Sequence, residues 1–278
     1  MAADSPGARY AVVGNPVSHS LSPRIHARFA QQTGQALSYE AIEIALGNFE
    51  TGIRDLQRRG YAGLNVTVPF KQDAWAICDR RSRLAEEAGA VNTLTLQADG
   101  GIDGDNTDGT GLVRDLEENL GFAVGGANIL LLGAGGAARG AIGPLLDRAP
   151  AKLTIANRSA QKAVDLAGDF ANRGPIGAAA YEALTGAGFD LIVNATAAGL
   201  AGDLPPLPES CIGAETLCYD MMYDLAGPTA FVAWTRSLGA ARTFDGLGML
   251  VEQAAEAFRI WRGVRPDSGD VMQMLRDY

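Results

Sequence analysis

Short apolar runs alternate with helix-spaced apolar positions along most of the chain. Tyr10–Gly14 (YAVVG) reads as a buried strand. Ser22-Pro23 reads as an N-cap followed by proline at the first helical position, with Ile25 and Phe29 on one face and Gly34 as the stop. Ser38–Ile44 is a second strand. Phe49, Ile53 and Leu56 mark a second helix ended by Gly60, and Gly63–Val68 a third strand cut by Pro69. Leu84–Val91 reads as helix. Thr93–Leu96 and Ile102–Asp105 flank Asp99-Gly100-Gly101, a hairpin signal. After a helical Gly109–Leu120 the alternation restarts. Strands are expected at Asn128–Leu132, Lys152–Ala156, Asp190–Val193, Leu217–Met221 and Arg242–Phe244, with helices at Ala138–Arg148, Ala160–Asn172 and Thr229–Leu238. Gly202–Pro208 reads as a surface loop. Val251, Ala254, Ala255, Phe258 and Trp261 recur at helical spacing, the mark of a packed helix face. Alternating strands and helices imply an α/β protein with mainly parallel, helix-covered sheets.

At about 150 residues per domain, 278 residues suggest two domains. Hydrophobic residues at 47% and charged residues at 20% exclude a disordered chain. A net charge of −9 disfavours nucleic acid as a general partner but permits small anions at a local basic site. Three scattered cysteines, Cys78, Cys211 and Cys218, read as buried reduced thiols, and two histidines are too few for a histidine metal site, so no metal is expected. No secretory signal and no membrane-spanning stretch is expected, which makes the cytoplasm the default compartment.

The strand Asn128–Leu132 runs into Gly133-Ala134-Gly135-Gly136-Ala137-Ala138, and Gly133, Gly135 and Ala138 fit G-x-G-x-x-[G/A]. The first glycine permits the tight turn and the second lets a pyrophosphate reach the backbone. A small third residue lets the helix lie close to its strand, with its N–H groups and positive dipole end toward phosphate. The next strand ends in Ala156-Asn157-Arg158-Ser159, without the acid that would bond a ribose 2′-hydroxyl. Arg158 suits a 2′-phosphate instead, and Lys162 adds charge four residues on. NADP is therefore expected rather than NAD.

Further segments stand out: Gly14–Pro23 (GNPVSHSLSP), Asn65–Lys71 (NVTVPFK), Asn92, Asn106–Gly111 (NTDGTG), Asn194-Ala195-Thr196, Tyr219–Tyr223 (YDMMY), and Asp245–Leu250 (DGLGML) with Gln253. Together, in this order and over essentially the whole chain, they resemble the shikimate dehydrogenase family, NADP-dependent shikimate 5-oxidoreductases of aromatic amino-acid and chorismate biosynthesis. The resemblance implies a substrate domain, 1–108 completed by C-terminal helices at 247–278, and a Rossmann-like NADP domain at 109–246, with reaction in the cleft. It implies that Ser18 and Ser20 bind the substrate carboxylate, that Thr67, Asn92 and Gln253 bond ring hydroxyls, and that Tyr223 sits near the carboxylate or the nicotinamide. Lys71 and Asp108 would form the catalytic pair. Gly133 to Ala137, Asn157, Arg158, Ser159, Lys162, Thr196 and Met221 would meet the cofactor, and Gly246 and Met249 would line the nicotinamide pocket. A monomer or homodimer acting on small molecules is expected.

Residue chemistry agrees with that implication. Moving a hydride to or from an alcohol carbon requires a group that handles the hydroxyl proton. Lys71 closes an apolar strand, where desolvation lowers an ammonium pKa, while Asp108 would oppose that shift and orient the group. Ser18 and Ser20 also suit turn and cap chemistry, Asp108 a helix cap, and Tyr223 the core; His19 reads as a packing or hydrogen-bonding neighbour of the site. One departure from the family pattern is Ala197-Ala198, where serines commonly follow Asn-Ala-Thr. Alternatives are a quinate-using relative working with NAD, or a non-catalytic dinucleotide sensor; the latter predicts loss of the Lys71–Asp108 pair.

Overall fold

A computed structural model describes residues 7–196 and 203–277. The chain divides into two compact units, one of residues 1–111 with 251–277 and one of residues 112–250.

The first unit contains β1 (Ala8–Gly14), α1 (Ser22–Thr33), β2 (Leu37–Glu43), α2 (Phe49–Arg58), β3 (Tyr61–Val66), α3 (Lys71–Ile77), β4 (Arg80–Arg81), α4 (Arg83–Ala88), β5 (Thr93–Leu96) and β6 (Ile102–Asp105). Helix α5 (Asp108–Arg114) begins in this unit and continues into a π-helical turn, Asp115–Asn119. The six strands lie in the order β2-β1-β3-β5-β6-β4. β1 pairs in parallel with β2 and β3, and β4 with β6, whereas β5 is antiparallel to both neighbours. The Asp99-Gly100-Gly101 turn dictates the antiparallel β5–β6 pairing, because a connection so short reverses the chain.

Successive β1 residues face opposite ways. Ala11 and Val13 join a core with Ile53, Leu64 and Phe70, while Tyr10 stacks on Trp261 at 4.7 Å between ring centres. That second face carries an aromatic cluster in which His26 of α1, 1% exposed, stacks on Tyr39 at 4.1 Å.

The second unit contains β7 (Asn128–Leu132), α6 (Gly136–Leu146), β8 (Lys152–Ala156), α7 (Ala160–Asp169), β9 (Ile176–Ala179), β10 (Leu191–Asn194), β11 (Leu217–Asp220), α8 (Ala230–Ser237) and β12 (Arg242–Phe244). Helix α9 (Leu247–Arg262) starts here, and α10 (Ser268–Arg276) belongs to the first unit. The sheet order is β12-β11-β10-β7-β8-β9, and each neighbouring pair of strands runs parallel. This is the doubly wound order, with the winding reversing between β7 and β10. Ile129 and Leu131 face one core, Leu130 and Leu132 the other, so β7 is apolar throughout because both its faces are covered.

Several local expectations change. Ser22 is the first residue of α1 and not its cap; the cap residue is Leu21, and Ser20 Oγ accepts from the Ser22 N–H at 3.3 Å. α4 stops at Ala88 because Gly89 adopts a left-handed conformation, so Ala90 and Val91 lie outside it. In the proline-rich loop, Leu207 is buried in the core rather than exposed.

Burial drives the His26 imidazole pKa down to about 3 against a smaller opposing contribution from the Asn65 side chain. Unfolded histidine titrates near 6.5. Between those values the unfolded chain holds a proton that the folded chain refuses, so stability falls as pH drops through that window. From this group the protein should lose about 2 kcal/mol between pH 6.5 and 5. His26→Phe, which has nothing to protonate, should show a correspondingly weaker acid dependence in urea unfolding at the two pH values.

Candidate active site

In the first unit, side chains from helices α3, α5 and α9 meet around Asn92. Lys71 is the first residue of α3, and its Nζ donates to Asp108 Oδ2 at 2.5 Å. Asp108 opens α5 and is held there by its neighbours: its N–H donates to Asn106 Oδ1 at 3.1 Å, and Asn106 Nδ2 donates to Ala90 O at 3.0 Å. The second carboxylate oxygen, Oδ1, accepts from Asn92 Nδ2 at 2.8 Å. Asn92 Nδ2 also donates to Thr107 Oγ1 at 3.0 Å and to Gln253 Oε1 of α9 at 3.3 Å. The Val91 N–H donates to Lys71 O at 2.9 Å, tying the start of α3 to the segment that carries Asn92. Side-chain exposures of 32% for Lys71 and 20% for Asp108 leave the pair open to a ligand while most of its surface is covered.

Thr67 is half-buried beside Gly14, where a Cβ would lie 2.5 Å from the Thr67 methyl. The close approach requires glycine. Ser18 is exposed and Ser20 half-buried in the loop after β1. Ser20 shows the turn chemistry read from sequence, its oxygen accepting from the backbone, and this bond leaves the O–H as a donor. His19 is exposed. The cysteine thiols are buried, and burial pushes Cys78 and Cys218 up to about 12, so neither is a thiolate nucleophile.

In the second unit, candidate cofactor residues gather at the C-terminal ends of adjacent parallel strands. Gly133 follows β7 with φ +110°, and a Cβ there would lie 3.0 Å from Ala195 O. Gly135 and Gly136 differ: a Cβ on either meets nothing within 4 Å, and Gly135, Gly136 and Ala137 are exposed at the start of α6. The fold itself does not need glycine at those two positions, whose open faces leave room for a ligand to reach the backbone. Ala138 is fully buried, as the close packing of helix on strand requires.

Register sets Ala156 of β8 opposite Leu132, so Asn157, Arg158 and Ser159 emerge beside the glycine loop. Arg158 and Lys162 are exposed, and neither has an ion-pair partner among the described residues. On the other side Asn194 lies opposite Leu132, and its Oδ1 accepts from the Thr196 N–H at 3.2 Å and Thr196 Oγ1 at 2.7 Å. The departure at Ala197-Ala198 lies outside the described residues. Met221 and Tyr223 follow β11 half-buried, with burial raising the Tyr223 hydroxyl pKa. The Gly246 N–H donates to Met222 O at 2.9 Å, and Met249 lies in the first turn of α9.

Three family models match the chain. Residues 12–94 match the shikimate dehydrogenase substrate binding domain, 116–229 shikimate/quinate 5-dehydrogenase, and 246–276 the shikimate 5′-dehydrogenase C-terminal domain. The shikimate dehydrogenase (NADP(+)) of Hahella chejuensis is 57% identical over 96% of this chain and 98% of its own length. The chain belongs to the shikimate dehydrogenase family. The Alkalilimnicola ehrlichii shikimate dehydrogenase (NADP(+)) is 54% identical over 96% of this chain and 98% of its own length. Among solved structures, an Ael1 enzyme from Pseudomonas putida aligns with a TM-score of 0.92 at 48% identity, covering 96% of this chain and 98% of that one. The Thermus thermophilus shikimate 5-dehydrogenase in complex with NADP(H) and shikimate aligns at 0.85 and 34% identity, covering 97% and 99%.

Roles that sequence reasoning missed belong to residues inside motifs it had quoted. Asn65 Nδ2 donates to Asn92 O at 3.2 Å, and Asn65 Oδ1 accepts from the Tyr39 hydroxyl at 2.7 Å. Thr107 supports Asn92 from the other side. Asp220, fully buried, receives Asn194 Nδ2, the Met222 N–H and the Thr229 hydroxyl at 3.1, 3.2 and 2.7 Å. A polar residue at the last position of a buried strand was the available signal.

The two kinds of glycine are separable by experiment. Gly135→Ala should change thermal stability by less than about 0.5 kcal/mol yet weaken NADP⁺ binding at least about tenfold, the loss expected from one phosphate–backbone hydrogen bond. Gly133→Ala should cost more than about 1 kcal/mol in stability, because its backbone angle disfavours any side chain. Thermal unfolding and NADP⁺ titration of both variants check this.

Proposed function

We propose that this chain reversibly reduces 3-dehydroshikimate to shikimate with NADPH in aromatic amino-acid biosynthesis, with Lys71 and Asp108 handling the proton. The observation that carries this reading is the 2.5 Å Lys71–Asp108 contact on a wall of ring-hydroxyl partners formed by Asn92 and Gln253. NADPH supplies the hydride. When the substrate carbonyl carbon gains it, negative charge develops on the oxygen, and Lys71 Nζ gives that oxygen a proton; in the oxidation direction Nζ takes it back. Asp108 orients the ammonium, and because Asn92 holds its other oxygen, the carboxylate cannot rotate away. Asn92, Thr67 and Gln253 bond ring hydroxyls, the Ser18 and Ser20 hydroxyls donate to the substrate carboxylate, and Tyr223 closes the carboxylate or nicotinamide side.

The residues present fit NADP. The open faces of Gly135 and Gly136 take the pyrophosphate, with Ala134 and Ala137 beside them. Arg158 and Lys162 bracket the strand end where an NAD site would place an acid, and Asn157 and Ser159 shape the turn, Asn157 Nδ2 donating to Ser159 O at 3.0 Å. Thr196, Met221, Gly246 and Met249 serve the nicotinamide end.

The intact Lys71–Asp108 pair argues against a sensor without activity. The matched model's description also names quinate, so quinate is the substrate to compare with shikimate in every assay. Among the described residues no helix is long and apolar enough to cross a membrane. A cytoplasmic location, with monomer or homodimer as the assembly, completes the proposal.

Lys71→Ala should lower turnover about 10²- to 10⁴-fold, the usual worth of a general acid/base, with shikimate affinity within a few-fold of wild type. The double variant with Asp108→Ala should be little worse, since the two act as a unit. Steady-state kinetics with shikimate and NADP⁺ decide it, and near-normal turnover in Lys71→Ala would move the proton to another group. Arg158→Ala should raise the Michaelis constant for NADP⁺ by roughly 10- to 100-fold, the value of a charge-assisted hydrogen bond, and that for NAD⁺ far less. Equal effects on both cofactors would rule out Arg158 as the 2′-phosphate partner.

A further inference from the structure

The second unit buries a carboxylate and a phenol that the proposed chemistry does not use. Tyr219, the third residue of β11, is fully buried. Its hydroxyl donates to Asp115 Oδ2 at 2.6 Å and accepts from the Met249 N–H at 3.3 Å. Asp115 is itself 3% exposed and opens the π-helical turn, where its Oδ1 accepts from Asn119 Nδ2 at 2.9 Å. The wider winding of that turn departs from the run of α5, a local irregularity that π turns commonly bring to functional sites. Gly248 passes so close to this carboxylate that a Cβ there would lie 2.1 Å from Asp115 Oδ1.

A helix leaves its first backbone N–H groups without intrahelical partners, and a side-chain oxygen from a flanking serine, threonine or aspartate commonly takes one. At the start of α9 a partner for the Met249 N–H comes instead from a strand thirty residues earlier in the chain. Burial, reinforced by the Asp115 charge, raises the Tyr219 pKa well above the ordinary phenol range, so the hydroxyl remains a donor to Asp115 at any working pH. The segment is gripped from its other side too, by the Gly246 N–H donating to Met222 O at 2.9 Å.

We infer that Tyr219, held by Asp115, is a positioning residue for hydride transfer: it fixes the Gly246–Met249 turn against which the nicotinamide ring rests. The inference rests on the reading that Gly246 and Met249 line the nicotinamide pocket. A ring displaced by a fraction of an ångström loses rate without losing the phosphate contacts that dominate binding, because misplacement by about 1 Å costs on the order of 10²-fold. Tyr219 touches neither substrate nor cofactor in this scheme; it acts through the backbone of Met249.

Tyr219→Phe keeps the ring and removes both hydrogen bonds. It should bind NADP⁺ within threefold of wild type by fluorescence titration, yet turn over about tenfold more slowly. The primary isotope effect with NADPH deuterated at the transferred position should rise, as the hydride step becomes more fully rate-limiting. In protein carrying ¹³C-methyl methionine, the Met249 signal, assigned by its loss in Met249→Leu, should shift when NADP⁺ is added to wild type and shift differently in Tyr219→Phe. Lowered thermal stability with wild-type turnover and isotope effect would make Tyr219 merely structural and overturn the inference. A wild-type Met249 signal that ignores NADP⁺ would overturn the underlying pocket reading, and the inference with it. Should Tyr219→Phe not fold, Asp115→Asn, which keeps the volume and removes the charge, should give the same pattern with about a threefold loss of turnover; unchanged turnover and isotope effect there would likewise overturn the inference.

Discussion

A carboxamide withdrawn from water must find partners at both ends, and Asn92 finds them in the residues that line the proposed substrate site. Its oxygen accepts from the Thr107 N–H at 2.9 Å and the Thr93 hydroxyl at 2.9 Å, and its amide nitrogen donates to Thr107, Asp108 and Gln253. Leaving one such group unmet costs about 1–3 kcal/mol, so the strand, the turn into α5 and helix α9 are bound to a shared geometry. The Asp108 carboxylate inherits its orientation from that arrangement, and Lys71 inherits its own from Asp108. Among the amide's contacts the one to Gln253 is the longest, at 3.3 Å.

The second unit solves a different problem. A fully parallel sheet sends all its strand ends to one edge, where a ligand meets loops rather than side chains on strands. Those loops need anchorage that does not come from the ladder. Asp220 ties the segment after β11 to the end of β10 through Asn194, and Asp115 and Tyr219 tie the start of α9 to β11. Both carboxyl groups are buried with hydrogen bonds donated to each of their oxygens, the condition under which a protein interior tolerates polar groups.

The strands were legible where they are buried on both faces, because β7 and β10 read as apolar runs and β8 is interrupted only by the buried Thr154. β9 was not, since its sequence IGAA is half-exposed at the sheet edge and carries neither an apolar run nor an alternation. α3 escaped notice for a related reason: of its seven residues only Ala74 is buried, too little for a helical period to show. The π-helical turn is invisible to a 3.6-residue pattern, which simply extended α5 through it. Lys71 and Asp108 were reached through the family resemblance, and the glycine loop through its own strand–loop–helix motif. The brace formed by Asp115 and Tyr219 could not be found from sequence, since that hydrogen bond spans more than a hundred residues and leaves no spacing to read.

The meeting of Gly14 with Thr67 bears on how such an enzyme can change over generations. A methyl at position 14 would lie 2.5 Å from the Thr67 methyl and 3.1 Å from Val68 O. Shortening Thr67 to serine removes the first clash and leaves only the tighter backbone contact. An alanine at position 14 is thus reachable by one order of steps, with position 67 changing first, and the reverse order passes through a damaged intermediate. Because Thr67 stands among the proposed ring-hydroxyl partners, that first step is itself exposed to selection on substrate recognition. Gly14, which touches no substrate in this scheme, is held in place by what its neighbour does.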